Sequence, residues 1–376
     1  MLTTAVVPWS TSHSLHYYVC AGVVFSNICH LLSVLALYRL TDMVFDHQRT
    51  ASLPYVASIL YIVSPAGMFL SAPYAESLFA LLNFTGMFLY GRAKTPDRRS
   101  QNATIGDDLS VVGSAMIFIL ATWVRSNGIL SGLLFVFDAV FCLAGMQRGE
   151  SEIRRLVVTC VSGALLGIGA LLPQYVAYRT YCASDFETSA RPWCYKPLPS
   201  IYTWVQSHYW LVLPFPTNPT VADLARNVGF LRYWTLPNLP LFLIAAPVLW
   251  LLIQSSIAHL RHSFHHVFKP SRTKSESEAK SSKDLCSVPS SLPEFALPQL
   301  ILAVTAATNF HVQVINRLSS GYPIWYLAVA RWIVAQNNGR AGNSTLVDKA
   351  PQWITRGIIM YALVQGALFA NFLPPA

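Results

Sequence analysis

What most limits the fold of this chain is a succession of ten apolar stretches, at 17–38, 53–70, 74–91, 111–124, 129–145, 156–178, 236–257, 295–314, 322–333 and 357–372. A helix of about 20 apolar residues crosses the roughly 30 Å hydrocarbon layer of a bilayer, and backbone polar groups in lipid are satisfied only inside helices or closed barrels. Several of the stretches are shorter than that. Stretches 111–124 and 129–145 read as a helical pair broken at Arg125-Ser126-Asn127-Gly128, because Asn-Gly ends helices and an arginine inside lipid is costly. Stretch 322–333 reads as re-entrant. The expectation is an all-α, polytopic transmembrane helical bundle of about 8–10 membrane segments, organised as a single membrane domain over residues 1–376.

Composition explains why water is the wrong solvent. Only 11% of the 376 residues are charged and 53% are hydrophobic, whereas a soluble domain carries about 25% charged residues. Too few charges remain to cover a soluble surface, and the apolar content excludes disorder. A net charge of +9 would point to nucleic acid in a soluble protein, but here its placement decides. If Tyr17 starts on the non-cytosolic side, the loops near 39–49, 92–108, 146–155, 258–293 and 337–356 share one face and hold 18 of the 26 Lys and Arg. That face is expected to be the cytosol, and no nucleic-acid partner is implied. The Ser/Lys/Glu-rich stretch 258–293 has the composition of a flexible cytosolic loop. The sequons at Asn83, Asn102 and Asn343 then fall in a span or in the cytosol, where no glycan is added. No cleavable signal peptide precedes Tyr17, so a start on the lumenal side implies a membrane segment upstream.

The non-cytosolic face carries the chemistry-bearing residues. Segment 179–235 is a lumenal aromatic loop containing Trp193, Tyr202, Trp204, His208, Tyr209, Trp210, Arg232, Tyr233 and Trp234. Aromatics at an interface are ordinarily an anchoring belt, yet Trp and Tyr beside an arginine also suit a sugar phosphate, through stacking and bidentate phosphate binding. Arg125 with Asn127, and Arg317 with His311, Gln313 and Asn316, end apolar runs on the same face. They read either as phosphate contacts or as snorkelling side chains. Glu76, at the start of a helix, reads as a weak candidate for the catalytic acid/base or as a charge complementing the helix dipole. Cys182 and Cys194 are a candidate disulfide in an oxidising lumen, or two free thiols. The seven cysteines form no CxxC and no Cys/His cluster, so no metal site is expected.

Specific strings then point to a family. SPAGMFLSAPYAESLFALLNFTG (64–86), WVRSNGIL (123–130), PWCYKPLPSIYTWVQSHYW (192–210), NVGFLRYWTLPNLPLFLIAAPVLWL (227–251), HVQVINRLSS (311–320) and LFANFLP (368–374) resemble the PIG-V family, whose blocks they keep in order over nearly the whole chain. The resemblance implies a GT-C-type glycosyltransferase, multi-pass in the endoplasmic reticulum membrane with its active face lumenal. Such an enzyme transfers the second mannose of a glycosylphosphatidylinositol (GPI) anchor, through an α-1,6 bond, from dolichyl phosphate mannose to the GPI lipid precursor. It implies no cofactor, and a small membrane partner subunit. It also implies that Arg125, Arg232 and Arg317 contact phosphates, with Asn127 and His311 beside them, and that Trp210, Tyr233 and Trp234 shape the acceptor site. Members begin with a membrane helix and a lumenal Trp-Asp loop whose carboxylate is the expected catalytic base. That loop is expected upstream of Met1, which reads this chain as a fungal, N-terminally truncated member. The competing readings are a non-catalytic subunit and a polytopic lipid transporter or scramblase. The latter would call for paired inverted repeats, of which the sequence shows none that convinces.

Overall fold

The computed structural model describes residues 15–44, 52–94, 104–146, 153–182, 193–195, 200–201, 204, 231, 234–268, 292–309, 312–337 and 350–371. Among them every regular element is helical. The helices are α1 (Leu15–Val44), α2 (Leu53–Ile62), α3 (Gly67–Ser71), α4 (Glu76–Lys94), α5 (Ile105–Val124), α6 (Leu133–Met146), α7 (Ile153–Tyr181), α8 (Leu239–Phe268), α9 (Ala296–Asn309), α10 (Ile315–Ser319), α11 (Ile324–Asn337) and α12 (Ala350–Ala370). Among the described residues six spans are long and apolar enough to cross a membrane: Tyr17–Val44, Ile105–Val124, Ser126–Met146, Ile153–Tyr181, Leu236–Arg261 and Trp353–Ala370. Each of the ten apolar stretches holds at least one helix, but not every one spans by itself. The chain is a multi-pass membrane protein built as a helical bundle.

The outer faces of α1, α7 and α12 carry Leu31, Ile168, Leu171 and Leu363, each more than half exposed. Exposed apolar surface of this kind marks a membrane or protein contact, and on helices of membrane-spanning length it suits lipid. Inside, Tyr61 meets Phe84 and Tyr326 edge to face at ring separations of 5.4 Å each, and Tyr90 meets Phe135 at 5.8 Å. Gln299 of α9 donates to Ser255 Oγ at 3.0 Å and Ser256 Oγ at 2.9 Å, and its Oε1 accepts from the Trp325 backbone N–H at 3.1 Å. One amide thus ties α8, α9 and α11 together. In a bilayer each such bond contributes about 0.6 kcal/mol, so it specifies which helices meet more than it stabilises them.

The break between α5 and α6 falls at Arg125, whose backbone is extended at φ −148° and ψ 130°. A 3₁₀ turn over Ser126–Gly132 follows and folds back on the end of α5. A Cβ on Gly128 would lie 2.6 Å from the Thr122 backbone N, so only glycine permits this approach. Helix α11 occupies the stretch read as re-entrant. Its fourteen residues reach only about 21 Å at 1.5 Å per residue. Tyr326, Leu327, Val329 and Ala330 are buried, so the short helix sits inside the bundle and needs no lipid-facing length.

Successive helices alternate in direction and so gather polar residues at two ends. One end holds Lys94, Asp138 and Arg155, from α4, α6 and α7. The other holds Glu76, Arg125 and Arg317, from α4, the end of α5 and α10.

Candidate functional site

Glu76 opens α4, immediately after the turn that carries Pro73 and Tyr74. Its carboxylate is 1% exposed and is met by two arginines. Arg317 donates to Glu76 Oε1 from Nε at 2.8 Å and from Nη2 at 2.6 Å. The Arg125 Nη1 lies 2.7 Å from the same oxygen. Three guanidinium nitrogens therefore converge on one carboxylate oxygen.

Two cations against one anion leave the group with a surplus positive charge. Arg125 and Arg317 are 18% and 28% exposed, so that charge reaches the surface while the carboxylate does not. Each guanidinium has five N–H donors, and three of the ten are spent on Glu76. The Arg317 guanidinium also lies 4.4 Å from the Phe69 ring centroid and 5.0 Å from that of Tyr74. Cation–π contacts of this kind hold the guanidinium plane in place. An arginine fixed in this way and still partly exposed suits a phosphate.

The surrounding loops are tied by hydrogen bonds between parts of the chain distant in sequence. Asn127 Nδ2 donates to Tyr322 Oη at 3.3 Å, and the Tyr322 hydroxyl donates to the Asn127 carbonyl at 3.0 Å. Ser131 Oγ donates to Asn83 Oδ1 at 2.6 Å, and Asn83 Nδ2 donates to the Gly321 carbonyl at 2.8 Å. Asn83 is fully buried, in keeping with the expectation that its sequon carries no glycan. These bonds lock the turn after Arg125 to the turn after Arg317, and so fix the spacing of the two arginines.

The structure brings Arg125, Asn127, Arg317 and Glu76 together. Trp234 is anchored at the α8–α9 joint: its Nε1 donates to the Ala307 carbonyl at 2.8 Å and its ring lies 4.2 Å from that of Phe242. Cys182 and Cys194 are joined in a disulfide with Cα atoms 5.6 Å apart. Trp210, Arg232, Tyr233 and His311 lie outside the described residues. Residue-level reading missed Phe69 and Tyr74 as the arginine's aromatic supports. It also missed Tyr361, whose hydroxyl accepts from Asn316 Nδ2 at 2.6 Å. The available signal was a tyrosine and a glutamine four residues apart in an otherwise apolar span.

A family model described as Mannosyltransferase (PIG-V) matches residues 6–376. The chain belongs to this family. GPI mannosyltransferase 2 of Aspergillus oryzae is 42% identical over 363 residues, covering 94% of this chain and 74% of its own length. The protein of the same name from Chaetomium globosum is 42% identical, covering 95% of this chain and 70% of its own length. That from Aspergillus fumigatus is 40% identical, with 92% and 73% covered. No solved structure matches. As a PIG-V member the chain is a mannosyltransferase, which gives the cationic, aromatic-flanked end of the bundle a chemical context.

Proposed function

We propose that this chain adds the second mannose of a GPI anchor, through an α-1,6 bond, taking it from dolichyl phosphate mannose at the lumenal face of the endoplasmic reticulum membrane. The name shared by its relatives supports the anchor-assembly role. The observation that carries the chemistry is the pair of partly exposed guanidiniums held on one buried carboxylate. When the acceptor hydroxyl attacks C1 of the donor mannose, the C1–O bond breaks and its electron pair leaves on dolichyl phosphate. Arg125 and Arg317 are placed to hold that phosphate and the charge it gains, an electrostatic contribution that is fixed before the reaction begins. Glu76 is already engaged by both guanidiniums, so in this reading it serves as the counter-ion that orients the two arginines. The proton of the acceptor hydroxyl passes to a carboxylate base, for which the family resemblance implies the Trp-Asp loop. Trp210, Arg232, Tyr233, Trp234 and His311 complete the substrate site in this reading.

The lumenal assignment is supported by the Cys182–Cys194 disulfide, which closes the segment after α7 at the Arg125 end of the bundle and needs an oxidising compartment. The excess of Lys and Arg in the opposite loops supports the same orientation. A small membrane partner subunit belongs to this proposal through the family resemblance. Complementation of cells lacking the second anchor mannose tests it. Wild type should restore the mannose and Arg125→Ala and Arg317→Ala should not; two arginine variants that complement as well as wild type overturn the phosphate role.

A further inference from the structure

One stripe of α12 does not fit a lipid-facing helix. Tyr361, Gln365 and Phe369 are spaced four residues apart and so share a face. This face points into the bundle, since Gln365 is only 1% exposed while Leu363 and Val364 face out. Tyr361 accepts the hydrogen bond from Asn316, the residue before Arg317. Phe369 touches Phe69 at 5.6 Å and Tyr74 at 6.2 Å, the two rings over which the Arg317 guanidinium lies. Gln365 sits between these two contacts, one turn beyond the Tyr361 hydroxyl. Among the described residues only the Tyr361 hydroxyl is within reach of its Nε2, in poor hydrogen-bonding geometry, and its Oε1 has no partner. A buried amide in an apolar span is costly unless something satisfies it. The groups framing this one are a tyrosine hydroxyl, an asparagine amide and aromatic faces, which is the chemistry that recognises a neutral ring bearing several hydroxyls.

We infer that Gln365, with Tyr361 and Asn316, forms a sugar-hydroxyl subsite on α12 beside the Arg125–Glu76–Arg317 group. This rests on the reading of that group as the phosphate site of a mannosyl transfer. Gln365 offers a donor and an acceptor to adjacent hydroxyls of a hexose, whose position is set by the phosphate on one side and by the Phe69, Tyr74 and Phe369 rings on the other. The same chemistry would hold either the mannosyl group of the donor or the terminal mannose of the acceptor.

Kinetics of the full chain in membranes, with dolichyl phosphate mannose and a mono-mannosylated anchor lipid varied separately, distinguish the two. Gln365→Leu keeps the volume and removes the amide. Losing one hydrogen bond to a bound hydroxyl should raise KM for one substrate about tenfold while kcat stays within about threefold. The substrate whose KM rises is the one seated there. Tyr361→Phe should raise the KM of the same substrate. Unchanged KM values in both variants overturn the inference while leaving the phosphate-site reading intact. So does a Gln365→Leu variant in which thermal stability falls and both KM values move together, since that marks a packing residue. A wild-type chain that transfers no mannose removes the underlying reading and this subsite with it.

Discussion

The two ends of the bundle each bury a carboxylate between two cations, and they differ in what is left over. At the Lys94 end, Asp138 uses both oxygens: Oδ2 accepts from Lys94 Nζ at 2.5 Å and from Thr159 Oγ1 at 2.6 Å, and Oδ1 accepts from Arg155. A second carboxylate is close by, because the Tyr90 hydroxyl donates to Glu294 Oε1 at 3.2 Å and the Tyr90 ring lies 5.6 Å from Lys94 Nζ. Two cations face two anions, and the network closes on itself. At the Glu76 end two guanidiniums converge on a single oxygen, aromatic rings support one of them, and both keep exposed edges. A closed neutral network ties helices together. An open cationic one can also receive an anion.

Buried ion pairs are rarely net stabilisers, so apolar replacement of a whole group separates the two roles. Replacing Glu76, Arg125 and Arg317 together with Met, Leu and Leu should leave a folded protein whose kcat falls by about 10²–10³, the scale of a lost electrostatic contact in a transition state. The matching replacement of Lys94, Asp138 and Arg155 should keep mannosyl transfer within a few-fold. Equal losses of transfer in the two triple variants would erase the distinction. Half-measures shift the effect to stability: Asp138→Asn removes the carboxylate that both cations contact, leaving Glu294 as the group's one remaining anion, and should cost about 3–5 kcal/mol, read as a lower melting temperature with activity per folded molecule kept. Cys182→Ser opens the disulfide at the cationic end and should cost about 2–4 kcal/mol, measured by thermal unfolding under non-reducing conditions. At the small end of the scale stands the Arg154–Asp108 pair at 2.6 Å, whose partners are 51% and 26% exposed. Arg154→Ala should shift stability by no more than about 1 kcal/mol.

Much of this contrast was hidden in the linear chain. Arg125 could be placed at a helix break because Asn127-Gly128 follows it, a signal confined to four residues. Lys94 and Arg155 counted among the loop cations that set orientation, yet the structure puts Lys94 inside α4, 5% exposed and paired with Asp138. Glu76 and Arg317 are 241 residues apart, and no local pattern announces that they meet. The segment read as re-entrant looked too short to span and was indeed short, but only packing showed that α11 is enclosed by other helices. Gln365 went unnoticed because one glutamine in an apolar span is unremarkable until its neighbours are known.

By itself the sequence determined that this protein lives in a bilayer, how it is cut into helices and which loops carry positive charge. These follow from local hydropathy and chain length measured against a layer of fixed thickness. The tertiary structure alone decided which charges face each other, which are closed off and which stay open. Ion pairs and hydrogen bonds form over about 3 Å, between helices that only packing brings together.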